Sequence, residues 1–245
     1  MYHFFVATSQ IADGYAVITG QDVNHIRNVL RMKAGEKIGV RDGISRNYIC
    51  ELETMEPEFV RARILSEETD SSELSARLYL FQGLPKGDKM EMIIQKAVEL
   101  GACEIIPVAT RRSVVKLDKK KEENKVRRWN AIAESAAKQS GRMQIPEVKG
   151  VMTLAEAFSY SEKFDINLIP YELEEGMEKT REILSRIKPG MQAGIYIGPE
   201  GGFDREEVEA AVKKGIHPIT LGRRILRTET AGMAALSILM FQLEQ

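Results

Sequence analysis

The chain has few of the residues on which metal sites, disulfides and membrane anchors depend. Its 245 residues include two cysteines, Cys50 and Cys103, and three scattered histidines. The cysteines lie far apart, which favours two buried thiols in a reducing compartment over a disulfide, and no cysteine–histidine cluster has the spacing of metal ligands. No apolar run approaches the roughly 18 residues of a membrane span, and the N-terminus lacks the features of a signal peptide. We therefore expect a cytoplasmic protein with no metal and no membrane segment.

Several common catalytic signatures are also missing. No G-x-G-x-x-G follows the first strand of the α/β region, and no G-x-S-x-G elbow is present. The segment Gly83–Lys89 contains two glycines and two lysines, but its glycines are too close together for a phosphate-binding loop. These absences argue against a Rossmann dinucleotide site, a P-loop and a serine hydrolase.

Charge is balanced overall but unevenly distributed. The net charge is −1, which gives no general indication of nucleic-acid binding. Arg111–Arg128, however, has nine basic residues against three acidic ones, and Val23–Arg46 has six against two. Segregated positive charge is typical of a face that binds phosphates, although solvated helix surfaces give the same pattern.

The first 70 residues read as short strands around one helix. Alternating polar and apolar residues predict strands, and Val23, Ile26, Val29 and Leu30 fall at helical spacing. The predicted strands are Tyr2–Ala7, Tyr15–Thr19, Lys37–Arg41, Asn47–Thr54 and Glu58–Leu65, with a helix over Gln21–Met32. Such strands predict a small β-barrel, and the polar run Ser66–Glu73 is interpreted as a linker.

After this linker, strands alternate with helices. The predicted pairs are Arg77–Gln82 with Asp88–Leu100, Glu104–Val108 with Lys121–Ser140, Asp165–Ile169 with Glu178–Ile187, Ala193–Ile197 with Asp204–Lys214, and Gly215–Thr220 with Thr228–Gln242. This order predicts an α/β fold with a mostly parallel sheet covered on both faces. The predicted domains are residues 1–70 and 74–245.

Two loops near the C-terminus are the strongest indication of a ligand site. Gly198–Phe203 follows one predicted strand and Leu221–Ala231 follows the next, and each leads into a helix. Loops at the carboxyl ends of strands form the ligand sites of open α/β sheets. The two loops therefore predict one crevice for a polar small molecule.

The residues of these loops have a structural interpretation beside the functional one. Three glycines and Pro199 surround Glu200, which allows close approach of a ligand to the backbone. The turn alone would serve to cap a helix at Asp204, with Glu207 three residues later. In the second loop, Arg223, Arg224 and Arg227 precede Glu229, and arginines that simply face solvent are the alternative.

The paired loops resemble a signature of a known enzyme class. Ile197–Phe203 together with Leu221–Ala231 is similar to the motif pair of the SPOUT class of S-adenosylmethionine-dependent RNA methyltransferases. More narrowly, the pair resembles the bacterial family that methylates N3 of a uridine in 16S ribosomal RNA. Gln95–Gly101, Ala136–Arg142 and His25–Arg31 also match, so the resemblance covers essentially the whole chain.

The resemblance implies a fold, a cofactor and partners. It implies a PUA-like β-barrel followed by an α/β domain with a C-terminal trefoil knot, although knots are rare enough that sequence physics alone would argue against one. It also implies S-adenosylmethionine as the cofactor, a homodimer, and 16S ribosomal RNA as the partner, within the small ribosomal subunit.

The site residues follow from the three strand-end loops. We expect the cofactor to contact Leu168, Ile169, Pro170, Ile197, Gly198, Pro199, Glu200, Gly201, Gly202, Leu221, Gly222, Ile225, Leu226 and Thr230. The RNA contacts are predicted at Arg27, Arg31, Arg111, Arg112, Arg142, Arg223 and Arg224. Uridine N3 must lose its proton before it attacks, so the site needs a base or a cation that stabilises the anion. Arg227 is the candidate cation, and Glu229 or Glu200 the candidate proton acceptor.

Two alternatives stay open at this point. A ribose 2′-O-methyltransferase would have the same knot and cofactor. A non-catalytic RNA-binding factor would account for the barrel and the basic segments without needing the glycine loops.

Overall fold

The computed structural model describes residues 1–68, 72–115, 118–171 and 176–244. The chain divides into two compact units, one formed by Met1–Glu73 with Ala137–Ile145 and the other by Leu74–Ala136 with Pro146–Gln245. The first unit thus includes a short segment from the middle of the sequence. The predicted boundaries at residues 70 and 74 stay a prediction.

The first unit contains a six-stranded sheet. Its strands are β1 (His3–Phe5), β2 (Ile11–Ala12), β3 (Tyr15–Thr19), β4 (Lys37–Arg41), β5 (Asn47–Met55) and β6 (Phe59–Glu68), in the order β1-β4-β5-β6-β3-β2. The pairing of β1 with β4 is parallel and the others are antiparallel. Phe4 of β1 and Ile11 of β2, on the two edge strands, belong to the same apolar cluster, so the sheet curves around its core. Closure into a barrel stays a prediction.

Two predictions for this unit need correction. Strand β6 continues to Glu68, so the first part of the predicted linker is strand, while residues 69–71 lie outside the described ranges. The predicted helix Gln21–Met32 is shorter, with helix α1 at Gln21–Asn24 and a π-helical turn at His25–Val29. The wider turn changes which side chains face the core, and Val29 is left 64% exposed. Arg31 then ends the helical segment in the left-handed region at φ 53°.

The second unit is an α/β layer structure, as predicted. Its strands are β7 (Arg77–Gly83), β8 (Ala102–Ala109), β9 (Glu147–Val148), β10 (Met152–Thr153), β11 (Ile166–Pro170), β12 (Gln192–Ile197) and β13 (His217–Ile219). Its helices are α2 (Lys89–Glu99), α3 (Lys119–Ser140), α4 (Leu154–Ser161), α5 (Met177–Ser185), α6 (Arg205–Lys213) and α7 (Thr228–Leu243), and the last turn of α3, from Ala137 onward, is counted with the first unit. Every strand pair is parallel, which confirms the predicted α/β class.

The strand order positions the candidate site. The sheet runs β10-β8-β7-β12-β11-β13, so β12 lies between β7 and β11, and the last strand, β13, lies beyond β11 at the edge. Helix α7 packs on β7, β12 and α2 in the middle of the unit. The chain must therefore return from the edge strand to the centre through the loop that precedes α7.

Aromatic packing fixes the central strands. Phe81 of β7 and Tyr196 of β12 are fully buried and stacked, with ring centroids 4.3 Å apart. The Tyr196 hydroxyl donates to the carbonyl oxygen of Ala157 (2.8 Å), which ties the sheet to α4. This rigid centre holds the ends of β7 and β12, from which the site is built.

The cysteines are free thiols, with Cys50 buried and Cys103 partly buried. Burial raises the pKa of both to about 11, so both are protonated near neutral pH. Within the described ranges, no three His, Cys, Asp or Glu side chains are grouped as metal ligands. No helix in those ranges combines the length and apolar character that crossing a bilayer requires.

Candidate functional site

A cleft of about 200 Å³ opens where the chain leaves the carboxyl ends of β11, β12 and β13. The residues lining it are Pro170, Tyr171, Ile197, Gly198, Pro199, Glu200, Gly201, Gly202, Phe203, Thr220, Leu221, Gly222, Arg224, Ile225, Leu226, Thr228 and Ala231. Three segments distant in sequence thus form one crevice. The two loops singled out in the sequence supply most of its wall.

The loop after β12 closes tightly on itself. Gly202 adopts φ 65°, and its N–H donates to the carbonyl oxygen of Pro199 (2.9 Å). A Cβ on Gly198 would lie 2.9 Å from the carbonyl carbon of Gly202, so the two backbones touch and Gly198 admits no side chain. The expected helix cap is present as well, because Asp204 accepts the N–H of Glu206 (3.1 Å). Capping and ligand-site geometry therefore coexist in this loop.

The same loop also lies against the end of β7. A Cβ on Gly83 would come within 2.6 Å of Pro199 Cδ and 2.7 Å of its backbone nitrogen. The segment Gly83–Lys89 is thus a neighbour of the cleft loop. Its first glycine permits this close approach of the two backbones.

A buried hydrogen-bond chain links β7, the start of α7 and the loop after β12. Gln82 of β7, which has no solvent exposure, donates through Nε2 to Thr228 Oγ1 (2.9 Å). The Thr228 hydroxyl in turn donates to the carbonyl oxygen of Gly198 (2.6 Å). Because Thr228 is the first residue of α7, this chain fixes the start of the helix against the glycine loop.

Two of the arginines predicted to contact RNA are engaged with this loop. Arg112 donates through Nη1 to the carbonyl oxygen of Gly201 (2.8 Å) and lies 3.4 Å from Asp204 Oδ2. The Arg111 N–H donates to Glu207 Oε1 (2.9 Å), and its guanidinium pairs with Glu206. Both side chains thus support the cleft, and their role in RNA binding stays a prediction.

Replacing Arg112 with alanine is expected to weaken cofactor binding roughly threefold to tenfold. The variant removes a charge-assisted hydrogen bond to Gly201, a contact worth about 1 kcal/mol when half exposed. Isothermal titration with S-adenosylmethionine measures the change. Arg186→Ala is the matched control, because the ion-pair partner of Arg186 among the described residues is Glu182, one turn away on α5. Equal affinity in the two variants would contradict the anchoring role.

An ion cluster lies at the rim of the cleft. Glu200 accepts the Lys86 N–H (3.1 Å) and the Lys89 ammonium (3.0 Å). The ammonium also lies 3.5 Å from Glu229 Oε2 in the first turn of α7. Burial alone would raise the pKa of Glu200, but hydrogen bonds from Lys89, from its own N–H and from Lys86 bring the pKa below its usual value. These donors occupy the Glu200 oxygens and lower the basicity of the carboxylate, which disfavours it as a proton acceptor.

Comparison with known proteins identifies the family. A family model described as an RNA methyltransferase domain matches residues 72–240, and one described as an RNA methyltransferase PUA domain matches residues 18–65. The chain belongs to this family of RNA methyltransferases. It is 40% identical over 232 residues to the ribosomal RNA small subunit methyltransferase E of Bacillus subtilis, covering 93% of this chain and 90% of that protein.

Two solved structures of family members contain the cofactor. The ribosomal RNA small subunit methyltransferase E of Neisseria gonorrhoeae, bound to S-adenosyl methionine, is 31% identical with a TM-score of 0.84 and covers 99% of this chain and 98% of its own. A methyltransferase of Legionella pneumophila in complex with bound SAM is 31% identical with a TM-score of 0.83 and covers 98% and 97%. The resemblance stated from the sequence is thereby confirmed.

Not every residue predicted for this family's cofactor site lines the cleft. Leu168 and Ile169 are fully buried within β11, and Thr230 is exposed on α7 outside the lining. The other predicted contacts all line it, and their role in binding stays a prediction. The sequence interpretation left out Tyr171, Phe203, Thr220, Thr228 and Ala231, each of which is next to a predicted segment or within one.

The remaining predicted side chains differ in how exposed they are to solvent. Arg227 and Arg223 are exposed beside the cleft, and Arg224 lines it. In the first unit, Arg27 is partly exposed and Arg31 exposed, so both are accessible to a phosphate. Arg142 is different, because it is 3% exposed and its Nε donates to Glu73 (2.9 Å). Arg142 is therefore engaged in a contact within the first unit, and its role in RNA binding stays a prediction.

Proposed function

We propose that this protein transfers a methyl group from S-adenosylmethionine to N3 of a specific uridine in 16S ribosomal RNA. The predictions of methyltransferase activity and of this cofactor are confirmed by the family match and by the relatives with bound cofactor. The cleft built on Gly198–Gly202 is the observation on which the proposal depends. The uridine and its N3 atom are the proposed part, together with the small ribosomal subunit as the setting.

The cleft suits this cofactor chemically. Leu221, Ile225 and Leu226 offer an apolar wall, and Ile225 is 85% exposed, so a flat adenine ring would cover a side chain that solvent now meets. The backbone that Gly198 leaves bare can hydrogen-bond the polar edges of the ligand. Glu200 places a carboxylate at the rim, where it would balance the positive sulfonium.

The residues of the chain would act on the target base. When bound, S-adenosylmethionine supplies the methyl carbon. The exposed guanidinium of Arg227 is proposed to stabilise the uracil anion through O2 or O4. Glu229 is proposed to receive the N3 proton, because Glu200 is already held by Lys86 and Lys89. The remaining task is positional, since in-line displacement depends on holding N3 close to the methyl carbon.

RNA binding is proposed to involve the first unit. The PUA-type match over residues 18–65 includes Arg27 and Arg31, whose side chains are accessible. We propose that the domain predicted from the sequence over residues 1–70 forms a β-barrel that binds RNA. The predicted domain over residues 74–245 would carry out methyl transfer. The basic segment Arg111–Arg128 would add contacts to phosphates. Cytoplasmic location fits a ribosomal RNA substrate.

We propose a C-terminal trefoil knot from the path of the chain after β13. The chain crosses from the edge strand β13 back to β7 and β12, where α7 packs. On the way it is bonded to the loop after β12 through Thr228 and Gly198. A return of this kind, held against an earlier loop, is what a knotted crevice requires.

A homodimer is proposed through the outer face of α7. Phe241 is 85% exposed and Ile238 45% exposed on this helix, and Met92 is 41% exposed on the adjoining α2. From Thr230 to Gln242 the helix has no charged side chain. Large apolar side chains grouped on uncharged surface are typical of an interface, and a second copy would bury them.

Replacing Phe241 with aspartate is expected to weaken the dimer by roughly 30-fold or more. A buried aromatic anchor typically contributes at least about 2 kcal/mol to an interface. Sedimentation equilibrium measures the dissociation constant. Val212→Asp on α6, at a side chain 48% exposed, is the control and should leave it unchanged. A dimer of normal stability in the Phe241 variant would refute this interface.

The proposed reaction is tested by locating the methyl group. Small subunits and naked 16S RNA lacking the modification are incubated with the enzyme and labelled cofactor, then digested to nucleosides and analysed by mass spectrometry. Methyl on uracil N3 supports the proposal. Methyl on a ribose 2′-oxygen would identify a 2′-O-methyltransferase instead, and RNA binding without transfer would identify a non-catalytic factor.

A further inference from the structure

Lys89 connects three segments at the rim of the cleft, although no pattern in the sequence singles it out. It is the first residue of α2, and its Nζ lies 3.0 Å from Glu200 Oε1 in the loop after β12. The same Nζ lies 3.5 Å from Glu229 Oε2 in α7. The exposed fractions of the three side chains are 34%, 30% and 13%, in the order Lys89, Glu200, Glu229. One ammonium thus serves two carboxylates, the second of them poorly solvated.

The two carboxylates are bound unequally. Glu200 receives the Lys86 N–H at 3.1 and 3.3 Å as well as the Lys89 ammonium. Glu229 Oε2 is cut off from solvent and has no hydrogen-bond partner among the described residues, since 3.5 Å to Lys89 is an ion-pair distance. A buried acceptor without a donor is costly, so its presence calls for an explanation, and a catalytic role is one such explanation.

Glu229 also lies in the right part of the fold. Thr228, directly before it, and Ala231, two residues after it, line the cleft. Its ion-pair partner Lys89 is bonded to Glu200, which lines the cleft as well. A uracil ring bound at the rim would therefore approach the Glu229 carboxylate. The flexible side chain of Lys89 would have to shift to admit it.

We propose that Lys89 is a positioning residue that holds the Glu229 carboxylate at the cleft rim, where Glu229 Oε2 accepts the N3 proton of the target uridine. This inference rests on the proposed function. The N3–H bond breaks with its electron pair left on nitrogen, and the proton passes to Glu229. The nitrogen pair forms the bond to the methyl carbon, whose bond to sulfur breaks with the electrons staying on sulfur.

The electrostatics of the cluster explain why the lysine is needed. With Lys89 present, two carboxylates and one ammonium leave a net charge of −1. Without it, two carboxylates that both lie within 3.5 Å of the same ammonium position would repel each other with no cation between them. Because Glu200 keeps the Lys86 N–H, Glu229 is the carboxylate left without a partner, and it is the one expected to turn away from the position in which it acts as a base.

The matched pair of variants is Lys89→Met and Lys96→Met. Both lysines are on α2 and each binds a glutamate. The partner of Lys96 is Glu99, with Nζ 2.7 Å from Oε2, and neither residue of this pair lines the cleft. We expect the single-turnover rate of Lys89→Met to fall about tenfold, the effect of roughly 1.4 kcal/mol in the barrier. The dissociation constant for S-adenosylmethionine, measured by isothermal titration, and the KM for RNA should stay within about twofold of Lys96→Met.

Rescue separates positioning from simple structural support. Lys89→Arg should recover part of the rate, and millimolar methylammonium should raise the rate of a Lys89→Ala variant but not that of the wild type. Glu229→Gln should be at least as slow as Lys89→Met, and methylammonium should not rescue it. A Lys89→Met rate equal to that of Lys96→Met, or a fast Glu229→Gln enzyme, would overturn the inference.

Two further outcomes complete the test. A large loss of cofactor affinity in Lys89→Met would make Lys89 a binding residue and overturn the positioning role. Failure of the proposed function is distinguishable, because the wild-type enzyme would then place no methyl group on uracil N3. The inference fails separately if the wild type methylates N3 and the Lys89 variants do so equally well.

Discussion

Gly198→Ala is expected to lower the affinity for S-adenosylmethionine roughly tenfold to a hundredfold. The new Cβ would lie 2.9 Å from the carbonyl carbon of Gly202 and 3.0 Å from the Phe203 nitrogen. Both are backbone atoms and cannot rotate away, so the loop must open. Overpacking of this kind costs about 1–3 kcal/mol. Because the displaced loop lines the cleft, we expect this cost to appear in the free energy of cofactor binding.

Isothermal titration and thermal unfolding together test this expectation. Gly150→Ala is the matched control, because its Cβ would meet only the end of the Glu122 side chain at 3.5 Å. We expect the Gly198 variant to stay folded, since the loop lies outside the strands and helices. Normal affinity in a folded Gly198→Ala protein would show that the loop does not shape the cofactor site.

Gly201 lies in the same loop but is under a weaker constraint. A Cβ there would lie 3.3 Å from the Cβ of Arg112 and 3.4 Å from its Cδ, which are atoms of a long side chain. Arg112 can move, at the cost of its bond to the Gly201 carbonyl. The sequence alone treats the two glycines alike, and only the three-dimensional contacts rank them.

The sequence predicts the second unit well because its strands are buried on both faces. Such strands read as continuous apolar runs bounded by helix signals, as at Ala193–Ile197 followed by the Asp204 cap. The observed β12 begins one residue before its predicted start, and α6 is one residue shorter than predicted at each end. Helix α4 is not among the predicted elements, although Thr153 and Glu156 form the capping box that marks its start.

Other misses have no local signal to find. Strands β9 and β10 are two residues long, too short for an alternating pattern. The π-helical turn at His25–Val29 keeps apolar residues at nearly helical spacing, so the sequence reads it as ordinary helix. In these places the tertiary context decides the backbone, and the residue pattern does not.

The candidate site divides in the same way. Glycine and proline determine the allowed backbone conformation at their own positions, so the loop Gly198–Gly202 can be recognised in the sequence. The contact between Lys89 and Glu200 joins residues 111 positions apart, and that between Gln82 and Thr228 joins residues 146 apart. Residue type alone does not predict such pairs. A lysine in a charged helix reads as a solvated side chain until the fold brings a carboxylate to it.

Arg227→Ala is expected to lower the rate of methyl transfer about 10²-fold or more. Arg227 is exposed at the N-cap position of α7, between Leu226 and Thr228, which both line the cleft. The described part of the chain gives its guanidinium no hydrogen-bond or ion-pair partner, so it is free to meet the substrate. Loss of one preorganised electrostatic group typically costs this much in the chemical step.

Single-turnover assays with saturating cofactor measure the effect, and Arg205→Ala is the control. Arg205 is an exposed arginine at the start of α6, and within the described part of the chain it pairs with Glu209 one turn along. The control should keep the wild-type rate. Cofactor affinity should change little in either variant, because Arg227 does not line the cleft.

The pH dependence then distinguishes the role of Arg227 from that of a simple RNA contact. If the guanidinium stabilises the uracil anion, raising the pH should recover part of the rate of Arg227→Ala, because hydroxide then helps to remove the N3 proton. Arg227→Lys should recover only part of the rate at neutral pH, since a point charge lacks the planar fork that can serve a carbonyl oxygen and a second acceptor together. A variant limited by RNA binding would instead be restored by higher RNA concentration or lower salt at any pH. An unchanged rate in Arg227→Ala would remove the cation from the mechanism and leave Glu229, positioned by Lys89, as the group of this chain that acts on the proton.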